Sequence, residues 1–248
     1  IRMHVKKHKA EYGQVVIACD GGSWRRDVFP QYKWARRNNR TESSLDFDLI
    51  FKCLNMVRDE IAANMPYKVV YIPNVEADDI IGTLVEQTQE FGQHEDIMII
   101  SADKDFIQLQ KYGNVKQYSP MTKKFIKDDN PHSYLFEHVL KGDSSDGIPN
   151  VLSGDDTFVE SIRQSPMTKK KIQEYVDNAE NLESYMTAEV YRNYKRNQLL
   201  VDLAYVPTEI KKSIIDTSEA VKVPHRMKIL NYLIKNRCKL LIECIEDF

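Results

Sequence analysis

The chain has 248 residues, 42% apolar and 29% charged, with a formal charge of −2 at pH 7. That length accommodates one sizeable core, or a core with a smaller lobe, and the composition excludes wholesale disorder. No apolar run approaches the roughly 20 residues that a membrane span needs, and no signal-peptide or lipidation pattern is present.

In chain order, IRMHVKKHKAEYG opens without an initiator Met and reads as the second half of a helix, which predicts that residues precede Ile1. QVVIACD (14–20) is a short apolar run ending in an acid, the pattern of a buried parallel strand. Residues 21–44 are polar, basic and aromatic with little apolar period, and predict a loop or arch. Ile50, Leu54, Val57 and Ile61 then recur at helical spacing up to Met65. YKVVYI (67–72) predicts a second strand, and Pro73-Asn74 stops it and caps a helix from about Val75 to Glu90. IMIIS (97–101) predicts a third strand, running into ADKD and a short helical stretch, and two more polar strands fall within 114–127. From there helices take over, at about 132–141, 155–163, 167–177, 188–201 and 226–246. Strands alternating with helices predict an α/β fold with a mostly parallel sheet, followed by a helical lobe from about residue 131.

Charge is unevenly spread. Residues 1–42 hold ten cations (Arg2, Lys6, Lys7, Lys9, Arg25, Arg26, Lys33, Arg36, Arg37, Arg40) against four acids. A near-neutral total can therefore conceal a basic face beside an acidic pocket. Cys19, Cys53, Cys238 and Cys244 are scattered without a CxxC pair, and are expected as reduced, mostly buried thiols of an intracellular protein.

The acids carry the chemistry. Asp20 ends the first strand, Glu76 and Asp78 follow the second, Asp103 and Asp105 follow the third, and Asp143 and Asp146 sit in GDSSDGIPN. Singly, each reads as a cap or turn residue. Together, on the rim where α/β sheets bind ligands, they would repel one another unless divalent cations neutralise them. In VEADD, Glu76 and Asp78 converge only if Glu76 leaves from a non-helical first turn, and Asp79 then points elsewhere. Oxygen donors with no His or Cys nearby favour Mg²⁺ or Mn²⁺, and two such ions are the usual device for displacement at a phosphodiester. WRRDVFPQYKWARR interleaves aromatics with cations. It reads either as a grip for single-stranded nucleic acid or as an amphipathic helix with its aromatics turned inward. MTKKK (167–171) reads either as a set of phosphate contacts or as a solvated helix face.

VEADD, SADKD and GDSSDGIP in this order, after a strand-end Asp and an Arg-x₇-Lys element, resemble the 5′-nuclease (flap endonuclease) superfamily, which includes the 5′-nuclease domain of bacterial DNA polymerase I. CDGGSWRRD, MPYKVVYI and YGNVKQYSPMTKKFIK are particularly similar to its RNase H branch from T-even bacteriophages, and the resemblance covers essentially the whole chain.

The resemblance implies a PIN-like fold: an α/β nuclease core over residues 1–130 with an arch at about 21–44, and a duplex-binding helical lobe over 131–248 with a helix–three-turn–helix element. It implies two Mg²⁺ ions, replaceable by Mn²⁺, held by Asp20, Glu76, Asp78, Asp103, Asp105, Asp143 and Asp146. Arg25, Lys33, Asp20 and Asp103 would then be catalytic. Nucleic acid would meet Arg25, Arg26, Lys33, Arg36, Arg37 and Lys169, Lys170 and Lys171, with Tyr32 stacking on a terminal base. The activity implied is a 5′→3′ exonuclease and flap endonuclease that removes RNA primers and 5′ flaps in the cytoplasm of an infected bacterial host. Its substrates are branched or nicked duplex DNA and RNA–DNA hybrids, and the enzyme is expected as a monomer away from membranes. A single-stranded-DNA-binding protein or sliding clamp is an expected partner, for which the C-terminal helical segment 228–248 offers a dock if it is not core.

The sequence departs from the family pattern in three places. The family's metal-binding Asp on an N-terminal strand has no match, the spacings from Asp20 to Arg25 and across 36–44 are short, and VLSGDDTFVES lacks the Gly-x-Gly and Lys pattern of the duplex-binding hairpin. These departures leave a second reading, a structure-specific DNA-binding protein of the same fold with an incomplete, inactive site.

Overall fold

The computed structural model describes residues 1–89 and 94–248. Helix α1 (Arg2–Tyr12) leads into strand β1 (Val16–Cys19), short helices α2 (Arg25–Val28) and α3 (Trp34–Glu42), and the long α4 (Phe47–Asn64). Strand β2 (Lys68–Tyr71), helix α5 (Ala77–Gln89) and strand β3 (Ile97–Ile100) follow, then a 3₁₀ segment Lys104–Lys111 and strands β4 (Val115–Ser119) and β5 (Lys124–Ile126). The helical remainder is α6 (Pro131–Lys141), α7 (Lys169–Asp177), α8 (Leu182–Tyr185), α9 (Ala188–Val201), α10 (Thr208–Ala220), α11 (Met227–Lys235) and α12 (Lys239–Ile242). The expected end of α5 at Glu90 lies outside the described residues.

The five strands fall where the sequence predicts them, three on apolar runs and two on the more polar stretch 114–127, and pairing is mostly parallel. β1 lies parallel to β2 in the register Val16↔Lys68 to Cys19↔Tyr71, β3 parallel to β4, and β5 antiparallel to β4. One expectation needs refinement: hydrogen bonding is not continuous, and β1–β2 forms one sheet while β3–β4–β5 forms another. Shared side chains hold the two pieces together instead. Ile80 of α5 packs with Val70 of β2, while Val85, further along the same helix, packs with Ile99 of β3. Helix α1 also touches both: Val5 joins Met65 and Tyr67 at the start of β2, and His8 sits against Tyr118 of β4 with ring centroids 5.6 Å apart. Val70, Ile80 and Ile214 are fully buried, each contributing about 1.5–3 kcal/mol through removal of its apolar surface from water.

Helix boundaries follow their caps. Asn130 accepts from the Ser133 N–H and Pro131 opens α6, while Thr168 and Thr187 cap α7 and α9. Within 21–44, predicted as a loop or arch, the chain forms two short helices on either side of Pro30. Two helix predictions fail. Segment 155–163 is a series of turns: Thr157 folds its hydroxyl onto the Gly154 carbonyl, Asp155 is drawn away to Arg192 and Arg196, and Ser161 takes φ 56. The expected helix over 226–246 is broken at Arg237, also left-handed at φ 55. Helix α10 was not foreseen. The cysteines are free as expected, but none is fully buried and Cys53 is exposed on α4. Of the two readings of the C-terminal segment, the core one describes Ile229 and Leu233, which are fully buried beside Phe248. Among the described residues no helix is long and apolar enough to cross a membrane.

One turn fixes the mouth of the first sheet. Gly21 donates to the Val75 carbonyl at 2.8 Å and accepts from the Asn74 N–H at 2.7 Å, so the exits of β1 and β2 are laced together. A Cβ on Gly21 would occupy the place of the Ile72 carbonyl, which explains the glycine. Asp20 is thereby held beside the start of α5, where its Oδ1 accepts from the Ala77 N–H at 2.9 Å.

Candidate active site

Beyond the carboxyl ends of the strands, the acids meet. Helix α5 begins at Ala77, so Glu76 precedes the first turn and turns inward beside Asp78, as the VEADD geometry requires. Asp103 caps the 3₁₀ segment after β3, accepting from the Asp105 N–H at 3.0 Å. Gly142, with φ 65, ends α6 and directs the chain into a tight loop closed by the Ile148 N–H donating to the Asp143 carbonyl at 2.7 Å. Glu76, Asp78, Asp105, Asp143 and Asp146 line one concavity together with Arg25 and Tyr32. Asp20 and Asp103 lie close enough to act electrostatically on Asp78.

Two unlike halves make up the site. In the first, cations pair with the acids, although burial outweighs Lys33 and Arg36 at Asp146 and leaves its carboxyl above the ordinary value. Arg25 and Asp79, 3% and 0% exposed, form a buried pair with Arg25 Nη2 2.8 Å from Asp79 Oδ1, and Arg25 Nη1 lies 2.8 Å from Glu76. The guanidinium is anchored further by its Nε donating to the Leu200 carbonyl at 2.8 Å. Ser23 also donates to Glu76 at 2.6 Å, and the single Tyr32 hydroxyl proton is shared between Glu76, at 3.1 Å, and Asp146, at 3.0 Å. Lys33, left-handed at φ 54, donates its backbone N–H to the Asp146 carbonyl at 2.7 Å, and its ammonium contacts Glu76 and sits 3.4 Å from Asp146. Arg36 pairs with Asp146 at 2.5 Å. Burial pushes Glu76 up, but the Lys33 and Arg25 charges outweigh it and hold this carboxyl below its ordinary value. Burial also acts to lower Lys33, and Glu76 and Asp146 outweigh it, so the ammonium is held charged.

The second half has no such relief. Among the described residues no Lys or Arg pairs with Asp20, Asp78, Asp103, Asp105 or Asp143, and the carboxylates of Asp78 and Asp105 accept no hydrogen bond. Burial and the neighbouring Asp103 push Asp78 up to about 7. Burial, Asp103 and Asp143 push Asp105 up to about 8. Shifts of this size mark carboxyls whose charged form lacks a partner inside the protein. His138 of α6 stands here too, its Nδ1 3.5 Å from Asp105 Oδ1, and burial lowers its imidazole below the ordinary value. Asp105, His138 and Asp143 each offer one donor atom within 4.8 Å of the others, a spacing that accommodates one metal ion. The expectation of an oxygen-only set with no His nearby is corrected by this residue. The signal for it was faint: a histidine in the last turn of a helix, five positions before Asp143.

Several predicted nucleic-acid residues lie differently from their expected roles. Tyr32 is 3% exposed with its hydroxyl committed to Glu76 and Asp146, so its ring is not presented to a base. Trp24 and Phe29 are buried as well, and Trp24 donates to Asp79 at 3.0 Å. For these aromatics the inward-facing reading holds. Arg25 is buried too, its guanidinium taken up by Glu76, Asp79 and the Leu200 carbonyl. Asp79, as VEADD geometry predicts, belongs to this buried pair and not to the concavity. By contrast, Arg26, Arg36, Lys169 and Lys170 are exposed, while Arg37 and Lys171 are half-buried. Arg37 donates to the Pro30 carbonyl at 2.7 Å, and Lys171 pairs with Glu174 at 3.4 Å.

Comparison with known proteins agrees with this architecture. The family profile described as the 5′-3′ exonuclease N-terminal resolvase-like domain matches residues 1–135, and that of the T4 RNase H C-terminal domain matches residues 131–248. Ribonuclease H of Enterobacteria phage T4 is 36% identical over 257 aligned positions, covering 100% of this chain and 84% of that protein. DNA polymerase I of Bacillus caldotenax is 30% identical over 164 positions, covering 60% of this chain but only 18% of the polymerase. Among solved structures, the D15 protein of bacteriophage T5 crystallised with metal ions superposes with a TM-score of 0.62 at 18% identity, covering 89% of this chain and 91% of that one. The T5 flap endonuclease in a complex with DNA and metal ions gives a TM-score of 0.59 at 19% identity, covering 88% and 89%. At such identity these two speak for the fold alone. With both profiles and the full-length T4 relative in agreement, the chain belongs to the 5′-3′ exonuclease family of nucleases, on the branch that carries the T4 RNase H C-terminal domain.

Proposed function

We propose that this nuclease is a divalent-metal-dependent 5′→3′ exonuclease and flap endonuclease that removes RNA primers and 5′ DNA flaps during phage DNA replication in the host cytoplasm. The observation that carries the metal requirement is the uncompensated half of the site. Asp78 and Asp105 are raised to about 7 and 8 with no donor of their own, so the protein holds carboxylates it does not itself neutralise. Hard divalent cations fit such a set: Asp20, Asp78, Asp103, Asp105 and Asp143 would hold them, with Glu76 and Asp146 at the border between the halves. When bound, such ions acidify a water and neutralise charge at a scissile phosphate.

The chain's own residues do the rest. Lys33 lies on the border, its ammonium on Glu76 and near Asp146, where it is placed to meet negative charge developing on a phosphate. Arg25, Ser23 and Tyr32 act through Glu76 by fixing its orientation. Arg26, Arg36 and Arg37 form a basic flank beside the acids. In the lobe, Lys169, Lys170 and Lys171 occupy the first turn of α7, which holds no acid of its own, and only Lys171 reaches one, Glu174 in the next turn. Cations there oppose the helix dipole, costing about 0.3–1 kcal/mol each, and a phosphate backbone seated on that end would reverse the sign. On this reading residues 1–130 are the nuclease core and 131–248 the duplex-binding lobe. The turns over 150–168 between α6 and α7 serve as the helix–three-turn–helix grip. A 5′-labelled primer annealed to template tests the proposal: full-length protein should release short labelled products in Mg²⁺ or Mn²⁺ and none in chelator. Tight binding to flapped DNA with no product in either ion would instead support the non-cutting, structure-specific binder.

A further inference from the structure

The donor set at the far end of the site is not purely oxygen. His138 projects from the last turns of α6, with its Nδ1 3.5 Å from Asp105 Oδ1. Asp143 follows just past the helix end. The two are held relative to each other by the α6 terminus, where the Gly142 N–H donates to the His138 carbonyl at 2.8 Å and Gly142 turns the chain at φ 65. The ring is braced by Tyr134, one turn earlier, at a centroid distance of 6.0 Å and an interplanar angle of 74°. Despite the short separation, the imidazole and the Asp105 carboxylate make no hydrogen bond among the described residues. Their donor atoms, with one from Asp143, lie within 4.8 Å of one another. An apolar residue would fill a half-buried helix face at lower solvation cost.

We propose that His138 is a ligand to the ion held between Asp105 and Asp143, giving that position a mixed nitrogen–oxygen shell selective for transition-metal ions such as Mn²⁺ over Mg²⁺. Mg²⁺ is hard and takes oxygen donors almost exclusively, whereas Mn²⁺ accepts an imidazole nitrogen alongside carboxylates. The position away from His138, built around Asp20, Asp78 and Asp103, has only oxygen and keeps the usual Mg²⁺ character. The two ends of one acidic cleft therefore differ in the ion each prefers. The inference rests on the metal-dependent reading of the site.

Direct nitrogen ligation can be read without any cleavage assay. Metal-free full-length protein is titrated with Mn²⁺, bound ion is counted by electron paramagnetic resonance, and pulsed resonance is used to detect a directly bonded ¹⁴N. The wild type should show ¹⁴N coupling, His138→Gln should lose it, and His132→Gln, on the exposed side of α6, should keep it. Loss of the ligand should also weaken Mn²⁺ binding about tenfold while Mg²⁺ binding changes less than twofold. Bound Mn²⁺ without nitrogen coupling in the wild type overturns the assignment of His138 while leaving the metal site standing. A parallel loss of both ions in the variant also overturns it, as a purely structural role would. Absence of any bound Mn²⁺ overturns this inference and the metal-dependent reading together.

Discussion

Replacing Asp105 with asparagine separates what the site costs the fold from what it gives to catalysis. The Asp105 carboxyl is raised from 3.8 to about 8 in the folded protein. For an acid raised on folding, stability is fully present below the unfolded value near 4 and is lost as pH climbs towards 8. At pH 7 the gap between ambient pH and the unfolded value is 7 − 3.8 = 3.2, or about 4 kcal/mol at 1.36 kcal/mol per pH unit. The side chain is 25% exposed and coupled to other acids, so roughly half of that, about 2 kcal/mol, is the working magnitude. Asparagine is nearly isosteric, and the carboxylate accepts no hydrogen bond that the amide would lose. In chelator at pH 7, Asp105→Asn should therefore melt about 4–8 °C above the wild type, given the 2–4 °C per kcal/mol typical of this chain length. Thermal melts at pH 5, 7 and 8.5 should show the gap widening with pH. Adding Mg²⁺ or Mn²⁺ should lift the wild type more than the variant, and the variant should cleave nothing. A variant that melts at or below the wild type in chelator at pH 8.5 would refute the account of this half as unrelieved charge.

The compensated half should behave in the opposite way. Arg25→Met leaves Asp79, with no exposure at all, as an unpaired buried carboxylate, and denaturant unfolding should show a loss of about 3–5 kcal/mol whether or not metal is present. Lys33→Ala removes the ammonium that touches Glu76. Single-turnover kinetics should show a slower cleavage step with DNA affinity changed less than threefold, and equal losses in both would move Lys33 out of the chemistry. Changing Lys169, Lys170 and Lys171 together to alanine should flatten the salt dependence of duplex binding. The slope of log affinity against log salt should fall by about 0.9 for each true phosphate contact, up to about 3 units, and an unchanged slope would assign the run to a solvated helix face.

How much could be read beforehand depended on range along the chain. The strands were legible because a four-residue apolar run such as VIAC or IMII carries its own pattern, and α6 and α9 because their caps and periods are local. The acids at the strand ends were legible for the same reason, since their placement follows from a general property of α/β sheets. What stayed hidden was pairing. Nothing near Tyr32 or Arg25 announces that Glu76, more than forty positions later, will consume a phenol and a guanidinium. His138 was hidden in the same way, because its neighbour Asp105 lies on a different element. Segment 155–163 misled through composition, its apolar residues suggesting a helix while Asp155 was bound elsewhere by Arg192 and Arg196. Helix α10 is a plain omission: Ile210 and Ile214 are one turn apart after Pro207, and both pack with Val70 and Ile80.

The turn at Gly21 sets the gauge of the whole cleft. Because the Ile72 carbonyl fills the space a side chain would need, any larger residue at 21 must wedge the ends of β1 and β2 apart. Asp20 would then swing off the Ala77 amide, and its carboxylate would drift from Asp78 while every acid remained in the sequence. Such a protein would keep its ligands and lose their spacing. In a library randomised at this one position and selected for cleavage, glycine alone should survive.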